Sequence, residues 1–396
     1  LGFVPGPWMQ SIQVSKGASS VKNGYESITG QINIEYLKPQ STEVGKPVVH
    51  GNAYLDSQMK YELNADYATH LTDRVTTSFL MHYEDRQSDH DSNDDGFMDM
   101  PKLRQAHGMW RAAYVSPKWI SQLSLQFLTD KRHSGTSHHH GMSTDVQDYD
   151  IDIKTQRAVV QWKNGFTLNP DRNSSIALML QGSVHDADNT YGRTAFDVNH
   201  KNVYAQLMYE TDIRKRTNLS LGASLNHDNY DEIYDTGMCA FPAPSVWHTH
   251  DKETTAGFYL QYTYKIDEKF VFMRGIRFDH SSVYGNFFTP RLHIMYSPAE
   301  FVSFRASAGK GYRSPHAMAE NSMLMASGRN FCSEDLKQEE AWNYGISAAF
   351  HIPVDDKTIE LNAEYYYTDF INQMVINIDG QKGAHSVSFE NLDGKS

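Results

Sequence analysis

The sequence predicts an all-β fold, a large antiparallel β-barrel that crosses a membrane as strands. No apolar run approaches the roughly 20 residues that a transmembrane helix requires. Instead, segments of about ten residues or more alternate between apolar and polar side chains, as strands do that face lipid on one side and a lumen on the other. The connections are short at one predicted end of these strands and long at the other.

The composition limits the possible functions. With 396 residues, of which 39% are hydrophobic, the chain is long enough for several soluble domains or for much of one barrel. A net charge of −12 without any block of Lys or Arg argues against nucleic acid as a partner. Because Leu1 begins in the middle of a predicted domain, we interpret the chain as part of a longer protein, and the lack of a signal peptide says nothing about export.

The alternation is clearest at 217–226 and 358–368. In the first segment, Leu219, Leu221 and Leu225 point one way and serines and asparagines the other. In the second, apolar and aromatic residues oppose a face too polar for the core of a β-sandwich. A soluble sandwich also alternates, so this pattern alone leaves both folds open.

Loop lengths separate the two folds. If the first barrel strand runs upward, the short connections all lie at one end: 71–74, 116–118, 214–216, 267–269, 297–300 and 353–356. The long connections lie at the other end: 85–106, 132–153, 228–252 and 311–337. This segregation is typical of outer-membrane barrels, with periplasmic turns and extracellular loops, and a sandwich has no reason to maintain it.

The N-terminal stretch 11–39 differs from the rest. Two short alternating strands flank a glycine-rich crossing, which by spacing alone fits a fragment of any small domain. The stretch resembles the C-terminal end of the plug domain of TonB-dependent outer-membrane receptors, and the residues that carry the match are Val14, Lys16, Gly17, Ser20, Gly24, Gly30, Ile32, Asn33 and Ile34.

Two further segments extend the resemblance into the barrel. Gly311-Tyr312-Arg313-Ser314-Pro315 and Glu334-Asp335-Leu336-Lys337-Gln338-Glu339 are similar to the Y/F-R-A-P and N-L-K-P-E signatures of the family. Ser314 replaces the usual Ala, and Gln338 the usual Pro.

The resemblance implies a plug remnant at residues 1–44 and an incomplete outer-membrane barrel at 45–396. The family's barrel has about 22 strands, of which we count about fifteen, with a sixteenth beginning near Phe389. It also implies localisation in the outer membrane of a Gram-negative bacterium, contact with lipid, TonB as the energy-transducing partner, and a scarce small-molecule metal complex as the transported ligand. A ferric siderophore or another iron complex is the family's commonest cargo.

One acidic loop fits a calcium site. Calcium prefers six to eight oxygen ligands, and the pattern D-x-N-x-D-G-x-x-D supplies them from one short loop. We expect ligation by Asp91, Asn93, Asp95, the carbonyl of Phe97, and Asp99. Lys102 occupies the position at which an EF-hand carries its bidentate Glu, and an acidic solvated loop is the simpler alternative.

Soft donors concentrate in three predicted extracellular loops. Imidazole, thioether and thiol groups suit copper, zinc and haem iron, so this rim is a candidate ligand site. The candidates are His138, His139, His140, His248, His250, His316, Met318, Met323 and Met325. Met323 and Met325 equally fit a packing role. Cys239 and Cys332 fall in two of these loops, where a disulfide is plausible.

No enzyme signature is present: the sequence has no G-x-S-x-G, Walker A, H-E-x-x-H or C-x-x-C motif. We therefore expect a receptor for energised uptake of an iron complex that carries out no covalent chemistry. The alternatives are a receptor for haem, copper or another soft metal, and a passive barrel channel.

Overall fold

A computed structural model describes residues 3–38, 43–137, 148–236, 246–267, 269–333, 335–378 and 386–392. The N-terminal part is an antiparallel ribbon of β1 (Met9–Lys16) and β2 (Gly30–Tyr36), in which Val14 pairs with Ile32. Short 3-10 turns at Gly6–Trp8 and Val21–Asn23 flank β1. We call residues 3–38 the plug segment.

Eighteen described strands follow the ribbon, and all of them except β16, β19 and β20 form one antiparallel sheet of fifteen strands, which confirms the predicted fold class. Neighbours in this sheet are consecutive in the chain, except that β15 pairs with β17. The strands after the ribbon are β3 (Val48–Leu55), β4 (Tyr61–Thr72), β5 (Val75–Arg86), β6 (Lys102–Val115), β7 (Trp119–Gly135), β8 (Asp150–Asn169), β9 (Ser174–Tyr191), β10 (Thr194–Arg214), β11 (Thr217–Asp235), β12 (Val246–Ile266), β13 (Phe270–Ser281), β14 (Gly285–Ala299), β15 (Val302–Arg313), β16 (Asn330–Ser333), β17 (Glu339–Val354), β18 (Lys357–Ile371), β19 (Met374–Asn377) and β20 (Ser386–Asn391).

The sheet curves around the plug segment. Arg111 on β6 donates from Nη1 to the carbonyl of Leu37 at 2.7 Å, while Lys16 pairs with Glu364 on β18. These two strands lie far apart in the order of the sheet, so one face must wrap around the segment to reach both. Among the described residues, no helix is long and apolar enough to cross a membrane.

The expected short connections all lie at one rim, which we call the turn rim. The opposite loop rim is less uniform than predicted, because the links at 56–60, 192–193 and 282–284 are also short. Strands β9 and β10 contain 18 and 21 residues, well above the nine to eleven that a tilted membrane crossing requires. Paired strands of this length carry the chain above the membrane without a long loop.

The predicted sixteenth barrel strand near Phe389 is wrong. Residues Ser386–Asn391 form β20, which pairs with β16 and β19 in a separate three-stranded sheet. Phe389 is fully buried there against Phe331, which lies within the long loop between β15 and β17. Packing against this loop buries the side chain of Phe389, so the segment does not have to pair with the barrel wall to bury it.

The wall is polar inside and apolar outside, the reverse of a soluble protein. Ile346, Leu361 and Tyr365 are 61%, 56% and 64% exposed on the outer face. Inward-facing Asn343 and Thr289 are 1% and 0% exposed. Lipid covers an outer face of this kind in a membrane, and the inner face is free to form hydrogen bonds.

One row of inward-facing residues crosses neighbouring strands and holds the plug segment. In register, Glu210 pairs with Ser220, Ser220 with Gln261, Gln261 with Gly275, Gly275 with Arg291, Arg291 with Gly309, and Gly309 with Asn343. We call Glu210, Gln261, Gly275, Arg291, Gly309 and Asn343 the anchor row. Its members lie on strands β10 to β17 and face one stretch of the plug segment, residues 18–25.

Arg291 makes the densest contacts in this row. Its Nη1 donates to the carbonyls of Ser19 and Ser20 at 3.0 and 3.1 Å, and its Nη2 to that of Tyr25 at 3.0 Å. The side chain is 3% exposed. A guanidinium in this position replaces its lost hydration with plug carbonyls, so wall and plug each satisfy the other's buried polar groups.

The remaining members bind the same stretch from both sides. Asn343 accepts the backbone N–H of Ala18 at 3.2 Å, and Gln261 accepts the hydroxyl of Ser20. Glu210 forms an ion pair with Lys22 at 2.7 Å. Gln206, four residues earlier on the same face of β10, donates to the carbonyl of Lys22 at 2.8 Å.

Glycines in the row allow the close approach. A Cβ at Gly275 would lie 2.5 Å from a methyl group of Val21, and one at Gly309 would lie 2.7 Å from Cβ of Ala18. Val21 itself is fully buried. Glycine inside a strand lowers its stability, and here the plug backbone occupies the space that a side chain would need.

We predict that Gly275→Val displaces the plug segment without unfolding the wall, because overpacking of this kind costs about 1–3 kcal/mol. Limited trypsin digestion of the membrane-embedded protein should then cleave after Lys16 and Lys22 faster than in the unmodified protein. Gly165→Val is the matched control, since a Cβ at Gly165 would have no atom within 4 Å. Equal cleavage in both variants would contradict the role of Gly275.

Candidate functional site

A cavity of about 1030 Å³ lies at the loop rim, and we call it the outer cavity. Strands β11, β12 and β14 and the loop between β15 and β17 form its walls. Phe287 and Tyr312 line it and pack against Tyr25 of the plug segment, with the Tyr25 and Phe287 rings 5.0 Å apart. The backbone N–H of Tyr312 donates to the carbonyl of Tyr25 at 3.1 Å. Phe287 and Tyr312, which we call the cavity floor, therefore pack directly on the plug segment.

The outer cavity is acidic. Among the described residues its carboxylates are Asp228, Glu232, Asp251, Glu253, Asp335 and Glu340, and its lysines are Lys252 and Lys337. Glu253 accepts hydroxyl hydrogen bonds from Thr255 at 3.2 Å and Ser281 at 2.6 Å.

A stack of three rings stands in its wall. Tyr230 lies between His200 and His316, with ring centroids 3.9 Å apart on each side. Asp228 lies 2.8 Å from Nε2 of His200. Burial lowers the pKa of His316, which keeps its imidazole neutral at pH 7. The stack fixes this loop residue over the cavity.

The structure brings only some of the predicted soft donors to the cavity. His250, His316 and Met318 line it. Met325 is 1% exposed and packs in the apolar cluster of the loop with Phe331 and Phe389, whereas Met323 is 68% exposed and lies outside the cavity lining. Burial of Met325 among apolar side chains stabilises the loop, whereas the side chain of Met323 is exposed to solvent.

The other predicted donors lie elsewhere. His248 is exposed and pairs with Asp231. His138, His139, His140 and Cys239 lie outside the described residues. Cys332 has an exposed, free thiol. Within the described residues, no group of three His, Cys, Asp or Glu side chains converges closely enough to hold a metal ion.

The predicted calcium loop is closed on itself by hydrogen bonds. Asp91 accepts the backbone N–H of Gly96 at 2.9 Å, Asp95 accepts that of Phe97 at 2.9 Å, and Asp99 accepts that of Ser92 at 2.9 Å. Asn93 accepts the N–H of Asp95 at 3.3 Å. The loop is tethered to the next one, since Ser137 donates its N–H to the carbonyl of Gly96 at 2.8 Å.

A second cavity of about 630 Å³ lies between β2 of the plug segment and strands β5 to β9. It is basic, with Lys38, Arg111, Arg157 and Lys163 in its lining. Arg111 holds the Leu37 carbonyl there, so this space belongs to the contact between plug and wall and lies apart from the loop rim.

Comparison with known proteins identifies the family. A family model described as a TonB-dependent receptor-like β-barrel matches residues 49–396. The chain belongs to the TonB-dependent receptor family. Receptors of this family lie in the outer membrane of Gram-negative bacteria, so the loop rim faces outward and the turn rim faces the periplasm. No curated protein matches the chain.

Solved structures share the fold at low identity. The siderophore receptor PirA from Pseudomonas aeruginosa is 15% identical with a TM-score of 0.69, and the match covers 98% of this chain and 68% of that one. A variant of the ferric enterobactin receptor PfeA from the same organism is 13% identical with a TM-score of 0.72, covering 99% and 64%. The FrpB iron transporter from Neisseria meningitidis is 14% identical with a TM-score of 0.71, covering 98% and 64%. The chain thus spans about two thirds of the length of these receptors.

The two signature segments of this receptor meet at the cavity. Arg313, at the end of β15, donates from Nη1 to Glu339 at 2.9 Å, at the start of β17, and also pairs with Glu320 in the short helix α1 (Ala317–Glu320). Glu334 lies outside the described residues. The pairing fixes both ends of the loop over the outer cavity.

Sequence reasoning missed the anchor row and Glu232. A signal was present for the row: Gly309 and Gly311 fall on the inward face of β15, where glycines mark a close backbone approach. Arg291 gave no such signal, because inward-facing charges are common in barrels and its partners lie some 270 residues away in sequence.

The side chain of Glu26 in the plug segment is exposed to the lumen, although protein atoms surround its carboxyl group. Desolvation by these atoms, with the negative charges of Asp228 and Glu253, raises the pKa of Glu26 to about 7. A carboxyl group whose pKa is higher in the folded than in the unfolded state contributes stability that is fully present when the pH lies below the unfolded pKa. That stability is lost as the pH rises through the folded pKa.

We therefore predict that the plug segment is docked less firmly at pH 8 than at pH 5. Hydrogen exchange of residues 20–28, corrected for intrinsic rates, should show protection that falls across this range. Glu26→Gln should keep protection nearly constant, because the amide does not ionise. A variant that retains the full pH dependence would show that other groups cause it.

Proposed function

We propose that this receptor captures a ferric siderophore or another iron complex in the outer cavity and imports it when TonB acts on the plug. The observation that carries the proposal is that the cavity floor packs directly on the plug segment. One carbonyl, that of Tyr25, accepts both the N–H of Tyr312 in the cavity and Nη2 of Arg291 in the anchor row. A ligand on this floor therefore lies beside the contact that must loosen for passage.

The names of the similar structures support this choice of cargo. They are a siderophore receptor, a ferric enterobactin receptor and an iron transporter. Because these structures are only 13–15% identical to this chain, their specific ligands do not identify the ligand of this receptor. The proposed mechanism is binding followed by gating, with no covalent step.

Two alternatives are less well supported. A copper or other soft-metal site would need several soft donors around one point. His250, His316 and Met318 line the cavity, but Met325 is buried in the loop core and Met323 lies outside the cavity lining. Haem needs only one or two axial ligands, and the names of the similar structures favour a siderophore or another iron complex over it. A passive channel has no use for a plug segment held in its lumen by a buried arginine.

We predict TonB-dependent accumulation of radiolabelled iron. Cells of the host should take up the label when it is bound to the chelators of their own iron-limited culture medium. Deletion of the receptor gene and deletion of TonB should each reduce uptake to background. Equal uptake without TonB would favour the passive channel, and uptake of copper or haem alone would favour the soft-metal alternative.

We also propose that the loop at 91–99 binds calcium. The positive φ angles of Asp94 and Gly96, 59° and 85°, make the tight turn that such a loop needs. In this structure the carboxylates accept backbone N–H groups of the loop and do not converge on one point, so calcium would have to draw them together. Asp91, Asn93, Asp95 and Asp99, with the Phe97 carbonyl, would supply the ligands.

Isothermal titration of the receptor with calcium tests this site. Asp95→Asn should weaken binding on the order of tenfold or more, since one carboxylate ligand loses its charge. Asp94→Asn is the matched control, because it removes one charge from the same loop outside the ligand set. Equal affinities of the two variants would count against the site.

A further inference from the structure

The wall of the outer cavity carries negative charge that the protein leaves uncompensated. Of its carboxylates, Glu340 pairs with Lys310 at 2.6 Å, and Asp228 is held by His200. Within the described residues, no Lys or Arg forms an ion pair with Glu232, Asp251 or Glu253. The excess charge is therefore available to a ligand.

Glu232 shows this most clearly. It is only 8% exposed, yet it lines the cavity, and the one hydrogen bond that its carboxylate makes within the described part of the chain is a long one of 3.4 Å from the hydroxyl of Thr249. Asp251, of the same sign, lines the cavity beside it. Burying a carboxylate without a cation costs several kcal/mol unless the group is neutralised or paired. A cationic ligand would supply the missing partner.

The arrangement does not suit a bare metal ion. Direct ligation needs several oxygens within about 2.6 Å of one point, and no such group of side chains exists among the described residues. The carboxylates are instead distributed over a space of about 1030 Å³ that also presents the rings of Tyr284, Phe287 and Tyr312. A cavity of this size accommodates a bulky ligand with apolar surface.

We propose that the cargo of the outer cavity is a metal chelate of net positive charge, for which Glu232 and Glu253 supply the complementary charge. This inference rests on the proposed uptake of a metal complex and specifies its charge. Like charges facing each other across a desolvated site are strongly unfavourable, so the same wall excludes anionic chelates.

A charge series of one ferric chelate tests the inference. The probes are a ferric trihydroxamate with a terminal ammonium group, its N-acetylated neutral form and its N-succinylated anionic form, titrated against the purified native receptor. We expect affinity to fall in that order, by about tenfold or more between the ends of the series. The double variant Glu232→Gln/Glu253→Gln should reduce this difference to about twofold.

The double variant Asp73→Asn/Asp355→Asn is the matched control, since it also removes two negative charges but from turns at the opposite rim. It should keep the full preference. Equal affinity for the three forms, or preference for the anionic one, would overturn the inference while leaving uptake of an iron complex intact.

Hexaamminecobalt(III) separates the two claims. If no ferric chelate binds but this cation does, and the double variant loses it, the iron proposal fails and the charge preference stands. If no cationic probe binds, the charge preference is wrong, and if no ferric chelate of any charge binds either, both claims are wrong.

Discussion

The structure depends on the burial of one cation between the wall and the plug. Arg291 is almost inaccessible to solvent, and its guanidinium donates to three plug carbonyls. Hydrogen bonds that involve a charged group contribute about 1.5–3 kcal/mol each, and a buried donor without a partner costs a similar amount. These hydrogen bonds therefore hold the wall and the plug together. If the two separated and no water entered, the guanidinium of Arg291 and the plug carbonyls would both lose their hydrogen-bond partners.

This contact also accounts for the position of the ligand site. Phe287 and Arg291 lie on the same strand, and Tyr312 lies three residues beyond Gly309 on the next one. The cavity floor and the anchor row are thus adjacent parts of two paired strands, joined through the carbonyl of Tyr25. Hydration of the lumen would give these groups alternative partners, so release of the plug requires exchange of hydrogen bonds but no unfolding of the wall.

Much of the wall could be read from the sequence, because alternation in segments such as 217–226 and 358–368 reports directly which side chains face lipid. Short links at the turn rim were likewise visible. The assignment of Phe389 failed because a six-residue segment of alternating polar and apolar residues fits a barrel strand and a small loop sheet equally well. The acidic cavity escaped detection for another reason: Glu232, Glu253 and Asp335 come from three different elements, and only the folded register brings them together.

The most direct test of the central claim is a cross-link across the anchor row. A Cβ at Gly275 would lie 3.3 Å from Cβ of Val21, close to the separation of about 3.5–4.5 Å found in disulfides. In the membrane-embedded receptor, with Cys239 and Cys332 replaced by serine, Val21→Cys and Gly275→Cys should join under mild oxidation, whereas Val21→Cys and Gly165→Cys should not. Failure of the first pair to join, or equal yields from both pairs, would contradict the docking of the plug on this row.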